Sequence, residues 1–132
     1  MEELIIARLV HAIPHLKGLY LFGSRAAGEE TADSDWDFAF LTDHPFRLDP
    51  VRRFELQEEL AARLNADVDL VDLRAASTVM GFEILSKGKR IYCADEYYCN
   101  TFEMLTYSFY QRLQEERKEI LKAIRERGSI YG

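Results

Sequence analysis

Two aspartates separated by one residue, Asp35 and Asp37, carry the strongest chemical signal in the chain. Side chains two residues apart on a β-strand project to the same side, so these carboxylates are expected to lie close together. Like charges at that distance repel each other, and a shared cation relieves the repulsion. Mg²⁺ takes carboxylate and phosphate oxygens as ligands. The pair therefore indicates a site for metal and phosphate, although an isolated Asp-x-Asp is also typical of a solvated strand face.

A Gly-Ser pair, Gly23-Ser24, precedes the aspartates by ten residues and follows a short apolar run at residues 19–22. Glycine allows the backbone to turn sharply and to approach a ligand closely. Ser24 is expected to cap a short helix over residues 25–27, where backbone N–H groups attract phosphate oxygens. Arg25 is positioned to add a charge-assisted hydrogen bond to phosphate. The pattern predicts a phosphate-binding turn, although Gly-Ser after a strand is common in structural turns.

A third carboxylate, Asp69, lies inside the apolar run of residues 68–73. It shares a strand face with Asp67, whereas Asp72 points to the opposite face, where a cap or a salt bridge is expected. A buried acid needs a partner, and metal shared with Asp35 and Asp37 supplies one. Together the three acids predict a two-metal site with ions about 3.5–4 Å apart. Asp69 is then expected to lie beside an acceptor hydroxyl and to help deprotonate it.

The elements that must position these residues alternate between strands and helices. The spacing of apolar residues, the breakers Pro14 and Gly88, and the Asp49-Pro50 helix start define them. The pattern predicts an α+β (α/β) domain with a small mixed β-sheet flanked by helices and a long C-terminal helix that ends at Gly128. The expected strands are residues 19–22, 36–41, 68–73 and 90–93, and the expected helices are 3–13, 51–64, 77–85 and 96–127.

Size and charge limit the possible functions. The 132 residues suit a single domain, with a core over 1–94 and a helical extension over 95–132. A net charge of −6 and a pI of about 5.1 argue against direct binding of nucleic acid. No apolar stretch approaches the roughly 20 residues of a membrane span, and no signal peptide is expected. Cys93 and Cys99 are too few for a zinc site or a disulfide framework, so reduced thiols and a cytoplasmic location are expected.

The order Gly-Ser, ten residues, Asp-x-Asp resembles the nucleotidyltransferase superfamily, and Val-Asp-Leu at residues 68–70 resembles its third-carboxylate strand. Two longer segments, VDLVDLRAASTVM at 68–80 and the tail from residue 110 to 132, are similar to MntA-type minimal nucleotidyltransferase antitoxins of the HEPN/MNT toxin–antitoxin family. The resemblance covers nearly the whole chain. It implies a polymerase-β-like fold for this chain.

The resemblance also implies an activity. Members of that family transfer AMP from ATP, with two Mg²⁺ ions, onto a tyrosine hydroxyl of a partner HEPN ribonuclease toxin and so neutralise it. Carried over by position, Gly23, Ser24 and Arg25 are implied to bind the nucleotide. The implied metal ligands and catalytic residues are Asp35, Asp37 and Asp69. Trp36 is bulkier than the aliphatic residue expected between the first two acids, which bears on packing rather than on catalysis.

Two other readings remain open from the sequence. The chain could be an antitoxin that neutralises its toxin by binding alone, or a nucleotidyltransferase that modifies a hydroxyl of a small molecule. Intact acids at all three positions favour an enzyme, because binding alone does not require them. Some of the aromatic residues at the start of the last helix are expected to pack against the sheet, and others are expected to form an interface with a partner.

Overall fold

The fold is built on a four-stranded mixed sheet flanked by helices. The structure is a computed structural model, and it describes the backbone of residues 1–131 and the side chains of residues 1–128. The elements are α1 (Glu2–Ala12), β1 (Leu16–Phe22), α2 (Ser24–Ala27), β2 (Trp36–Thr42), α3 (Pro50–Leu64), β3 (Val68–Asp72), α4 (Thr78–Lys87), β4 (Lys89–Cys93) and α5 (Glu96–Tyr131). The strand order is β3-β2-β1-β4. Strand β1 pairs antiparallel with both β2 and β4, and β2 pairs parallel with β3 across the helical crossover α3.

The two faces of the sheet are covered by different helices. Phe38 and Phe40 of β2 pack with residues of α1 and α3, as the alternation of β2 predicts. Ala39 of the same strand packs on the other face with Ile84 of α4 and Cys99 of α5. Because odd-numbered residues of β2 share one face, Asp37 belongs to the face that α4 and α5 cover.

Local signals fix the ends of α3 and α4, and those at Asp49, Pro50 and Gly88 are the ones that the sequence predicts. Asp49 accepts a hydrogen bond from the backbone N–H of Val51 at 2.9 Å, and Pro50 occupies the first helical position. Ser77 accepts from the N–H of Met80 at 3.1 Å, and α4 ends at Gly88. These caps hold the two helices that lie on opposite faces of the sheet.

Two boundary predictions are wrong. Ser24 does not cap α2: Gly23 is the N-cap and Ser24 is the first helical residue, with no side-chain capping bond. Gly128 does not end α5, which continues through Tyr131. Glycine ends a helix when it adopts a left-handed conformation, and Gly128 is not among the glycines with positive φ. The predicted alternatives for the tail after Gly128, frayed or docked on a partner, concern side chains outside the described residues.

Helix α5 is anchored to the sheet through its first three turns. The hydroxyl of Tyr20 donates to Glu103 at 2.8 Å, and Arg90 of β4 forms an ion pair with the same carboxylate at 2.8 Å. Burial, followed by the bond to Glu103, raises the pKa of Tyr20, which keeps its hydroxyl protonated. Beyond Thr106 the described side chains of α5 are largely exposed. The predicted division into a core and a helical extension stays a prediction.

Candidate active site

The structure brings Asp37 and Asp69 together across two parallel strands. Asp37 is paired in register with Asp69 on one side and with Phe22, the last residue of β1, on the other. Asp35 lies just before β2, and the backbone N–H of Trp36 donates to the carbonyl of Asp67 at 2.9 Å, which ties the start of β2 to β3. The three acids predicted from the sequence therefore lie at the same end of the β2–β3 pair.

The charges of these acids act on one another. The pKa of Asp37 is raised, first by partial burial and then by the negative charges of Asp69 and Asp35. The carboxylate of Asp37 is thus held in an environment that disfavours its charge. A divalent cation at this point would reverse the effect, because it neutralises the repulsion that raises the pKa.

The argument that burial forces Asp69 to find a partner is wrong. Strand β3 lies at the edge of the sheet, and both Asp69 and Asp35 are exposed to solvent. Asp69 is held in place through the backbone of its neighbour instead. The N–H of Leu70 donates to the side chain of Gln57 at 2.8 Å, and Arg53 donates to the carbonyl of Leu70 at 2.9 Å. Two side chains of α3 therefore fix the outer edge of the strand that carries Asp69.

The side chains of Asp35, Asp37 and Asp69 are of the type that binds Mg²⁺. All three groups are carboxylates, and a Mg²⁺ site of this kind keeps positions for water and substrate phosphate. Within residues 1–128, whose side chains the structure describes, no group of three or more His, Cys, Asp or Glu side chains is arranged to hold a metal ion. The assignment of Asp35, Asp37 and Asp69 as metal ligands therefore remains a prediction, in which phosphate oxygens of the nucleotide supply further ligands.

Gly23 forms the turn that faces Asp37. Its backbone has φ +74° and ψ −158°, a region that only glycine adopts readily. A Cβ added here would lie 3.2 Å from Cγ of Asp37 and would collide with the Oδ2 of the same carboxylate. The glycine thus lets the turn and the acid share one small space. Helix α2, which follows, has only four residues, so its dipole contributes little to the binding of anions.

Arg25 is engaged with its own loop. Its guanidinium donates to the carbonyl of Ser34 at 2.8 and 3.2 Å and stacks over the ring of Trp36 at 4.0 Å. Trp36 in turn stacks on Phe38 at 5.8 Å, so the bulky residue between the two acids is packed against the core. These contacts fix the segment that leads into Asp35. The predicted contact of Arg25 with nucleotide phosphate stays a prediction.

Sequence reasoning missed a groove next to the turn. A cavity of about 520 Å³ lies between the Gly23–Ser24 turn and α4. Helix α4 contributes side chains from one of its faces, among them Met80, Glu83 and Lys87. Their spacing of three and four residues is the only signal in the sequence, and it also fits an ordinary exposed helix face.

Comparison with known proteins agrees with this geometry. The model of the family described as "Polymerase beta, Nucleotidyltransferase" matches residues 5–97. The protein adenylyltransferase MntA of Shewanella oneidensis is 42% identical over 120 residues, which cover 91% of this chain and 84% of that protein. The chain belongs to the MntA-type polymerase-β nucleotidyltransferases. The family and the fold predicted from the sequence are both confirmed.

Solved structures of toxin–antitoxin systems are similar along almost the whole chain. One, a toxin–antitoxin with AMP-PNP, has a TM-score of 0.80 at 39% identity and covers 94% of this chain and 98% of its own. Another is the tri-AMPylated HEPN toxin of Shewanella oneidensis in complex with its MNT antitoxin, with a TM-score of 0.72, 36% identity and the same two coverages. The similarity therefore includes the long C-terminal helix as well as the sheet.

Proposed function

We propose that this chain is an antitoxin that transfers AMP from ATP onto a tyrosine hydroxyl of a partner HEPN ribonuclease toxin and thereby neutralises it. The observation that carries the proposal is the register of Asp37 with Asp69, with Asp35 before them and the Gly23 turn against Asp37. An acidic set beside a tight glycine turn suits a metal-bound triphosphate. The relatives named protein adenylyltransferase, and those crystallised with AMP-PNP or with an AMPylated toxin, support the same reaction.

In the proposed reaction the acceptor oxygen forms a bond to the α-phosphorus of ATP, and the bond from that phosphorus to the bridging oxygen of pyrophosphate breaks. The acceptor loses its proton, and Asp69 lies at the exposed edge, where it is able to receive it. Two Mg²⁺ ions, when bound by Asp35, Asp37 and Asp69, would supply charge neutralisation for the attacking and leaving oxygens. The Gly23–Ser24 turn holds the triphosphate in this proposal.

The setting proposed for this reaction is the cytoplasm, where ATP is abundant and thiols stay reduced. Both cysteines are free, and burial raises the pKa of the Cys99 thiol to about 12, which keeps it unreactive. No helix within the described part of the chain is long and apolar enough to cross a bilayer. The acidic net charge of −6 agrees with a protein acceptor rather than a nucleic acid.

The deciding experiment follows AMP by mass. The chain is incubated with ATP, Mg²⁺ and the product of the adjacent gene, which the proposal expects to be the HEPN toxin, and both proteins are weighed by mass spectrometry. We expect AMP units on the toxin with the wild-type chain and none with Asp35→Asn or Asp37→Asn. Asp69→Asn is expected to abolish transfer while leaving the fold intact, because Asp69 is exposed. Full neutralisation by a tight complex with no change in mass would show that binding alone is the mechanism.

A second experiment tests the acceptor class. The same reaction is run with small-molecule hydroxyl compounds in place of the toxin. Release of pyrophosphate is expected only with the toxin, and replacement of the modified toxin tyrosine by phenylalanine is expected to stop it. Rapid turnover with a small molecule and none with the toxin would replace this proposal with the small-molecule alternative.

A further inference from the structure

Strand β3 is an edge strand, and two side chains of α3 take the place of a neighbouring strand on its outer side. The N–H of Leu70 donates to Oε1 of Gln57 at 2.8 Å, and the carbonyl of Leu70 accepts from Nη1 of Arg53 at 2.9 Å. An edge strand otherwise leaves such backbone groups to solvent or to another chain. The middle of β3 is therefore held from both sides, by β2 and by α3.

The hydrogen bond to Gln57 is made by the peptide unit of Asp69. The N–H of Leu70 belongs to the peptide unit that begins at the carbonyl carbon of Asp69, and a peptide unit is planar and rigid. Asp69 is paired in register with Asp37, so a rotation of this unit or a shift of β3 changes the separation of the two carboxylates. Asp69 is exposed, so packing of its side chain does little to fix it. The position of its carboxylate depends on the backbone of β3.

Helix α3 gives these two side chains a rigid support. Gln57 and Arg53 are four residues apart, so they lie one turn apart on the same face of the helix. Leu56 and Leu60 of the same helix are buried in the core. Groups carried on a packed helix hold a functional site more precisely than groups on a loop.

We propose that Gln57 and Arg53 are positioning residues for AMP transfer, which act through Leu70 to keep Asp69 where it can share Mg²⁺ with Asp37. The inference rests on the proposed function and adds the residues that hold the third acid. In this role neither side chain contacts the nucleotide, and each acts on the backbone of β3. The hydrogen bond of Gln57 is made to the peptide unit of Asp69 itself and that of Arg53 to the next unit, so Gln57 has the larger effect.

The variants include two adjacent arginines as a matched pair. Arg53→Met removes the hydrogen bond to the carbonyl of Leu70. Arg52→Met removes the same charge one position away, where Arg52 pairs with Glu55 of its own helix at 3.5 Å. Gln57→Met removes the acceptor for the N–H of Leu70 at a similar side-chain length, whereas Gln57→Glu keeps an oxygen there.

Two quantities are measured for each variant of the full chain. The first is the Mg²⁺ concentration that gives half the maximal rate of AMP transfer to the toxin. The second is measured without toxin and without turnover: the affinity, by calorimetry, for the Mg²⁺ complex of an ATP analogue with a methylene bridge between its α- and β-phosphates. Thermal unfolding checks that each variant is folded.

Loss of a group that orients a metal ligand costs about 10- to 100-fold in metal affinity or activity. We expect Gln57→Met to raise the half-maximal Mg²⁺ concentration about tenfold and to weaken binding of the complex about tenfold. Arg53→Met should have a smaller effect in the same direction, and Gln57→Glu and Arg52→Met should stay within about twofold of wild type. Gln57→Met combined with Asp69→Asn should bind no more weakly than Asp69→Asn alone, because both changes act on one ligand.

Wild-type binding and Mg²⁺ dependence in Gln57→Met and Arg53→Met, with only a lower melting temperature, would show that these side chains merely stabilise the edge strand. Losses that add in the double variant would show that Gln57 does not act through Asp69. A wild-type chain that binds the complex but transfers no AMP would refute the proposed function, and the binding comparison would still decide the role of Gln57. If Gln57→Met fails to fold, Arg53→Met and its control Arg52→Met decide the question.

Discussion

Substitution of Gly23 by alanine should separate a backbone effect from an effect on Asp37, which we propose as a metal ligand. Gly23 and Gly28 both have φ +74°, so alanine is strained at either position. Their surroundings differ. A Cβ at Gly23 would collide with the carboxylate of Asp37, whereas a Cβ at Gly28 meets no atom within 4 Å. Gly28→Ala is therefore a matched control for Gly23→Ala.

The expected losses of stability and rate follow from the strained backbone conformation and from the collision with Asp37. The unfavourable backbone conformation costs about 1–3 kcal/mol at Gly23 and about 1–2 kcal/mol at Gly28. A loss of about 2 kcal/mol lowers the melting temperature by roughly 6–8 °C in a domain of this size. Only Gly23→Ala must also move Asp37, by about 1 Å to restore normal van der Waals separation. A displacement of about 1 Å at a catalytic group costs on the order of a hundredfold in rate.

The assay is the initial rate of AMP incorporation into the toxin from labelled ATP, with thermal unfolding of each variant measured in parallel. We expect both glycine variants to lose similar stability. Gly23→Ala should lose about a hundredfold in rate, while Gly28→Ala should stay within a few-fold of wild type at a temperature where both are folded. Equal rates for the two variants would refute the link between the Gly23 turn and Asp37.

Two further predictions concern charge and loop packing. Because the fold raises the pKa of Asp37, it disfavours the charged carboxylate, and the stability of the metal-free protein falls as the pH rises through that raised pKa. Asp37→Asn should therefore have a higher melting temperature than wild type at neutral pH, a nearly equal one at low pH, and a smaller increase on addition of Mg²⁺. A lower melting temperature for Asp37→Asn at neutral pH would contradict this. Arg25→Met loses two hydrogen bonds to Ser34 and the stacking on Trp36, so it should lower the free energy of unfolding by about 2 kcal/mol. Urea unfolding followed by fluorescence of Trp36, the single tryptophan, measures that loss, and an unchanged midpoint would show that these contacts contribute nothing.

Strand periodicity predicted most of the fold because side-chain alternation decides which face is buried. Phe38 and Phe40 lie in one core and Ala39 in the other, as the order of residues requires. The cap at Asp49 is a local feature, so it could be predicted from Asp49 and the adjacent Pro50. The edge position of β3 could not, since it depends on strand order, and that is why the exposure of Asp69 was not foreseen.

The site shows the same division between local and long-range information. The spacing of Asp35 and Asp37 is a local feature, and Asp35, just before β2, lies near enough to Asp37 for its charge to raise the pKa of Asp37. The contact of Arg25 with Ser34 spans a loop, and the groove at Met80 joins residues far apart in the chain. Neither the contact nor the groove produces a periodic pattern in the sequence, because both depend on how separate elements pack together.

Helix α5 has a consequence for the lifetime of the chain. Thr106 is its last buried side chain within residues 1–128, and the 25 residues that follow to Tyr131 extend about 37 Å at the rise of an α-helix. Tyr107 and Tyr110 still contact Phe82 of α4, but beyond Tyr110 the described side chains are exposed, and a helical segment with little tertiary packing opens locally at little cost in free energy. The part of α5 beyond Tyr110 also carries many basic residues, which are cleavage points for trypsin-like proteases: Arg112, Arg117, Lys118, Lys122, Arg125 and Arg127. Degradation is therefore able to begin in α5 while the catalytic sheet is still folded, and any protein that covers this helix also sets how long the chain survives.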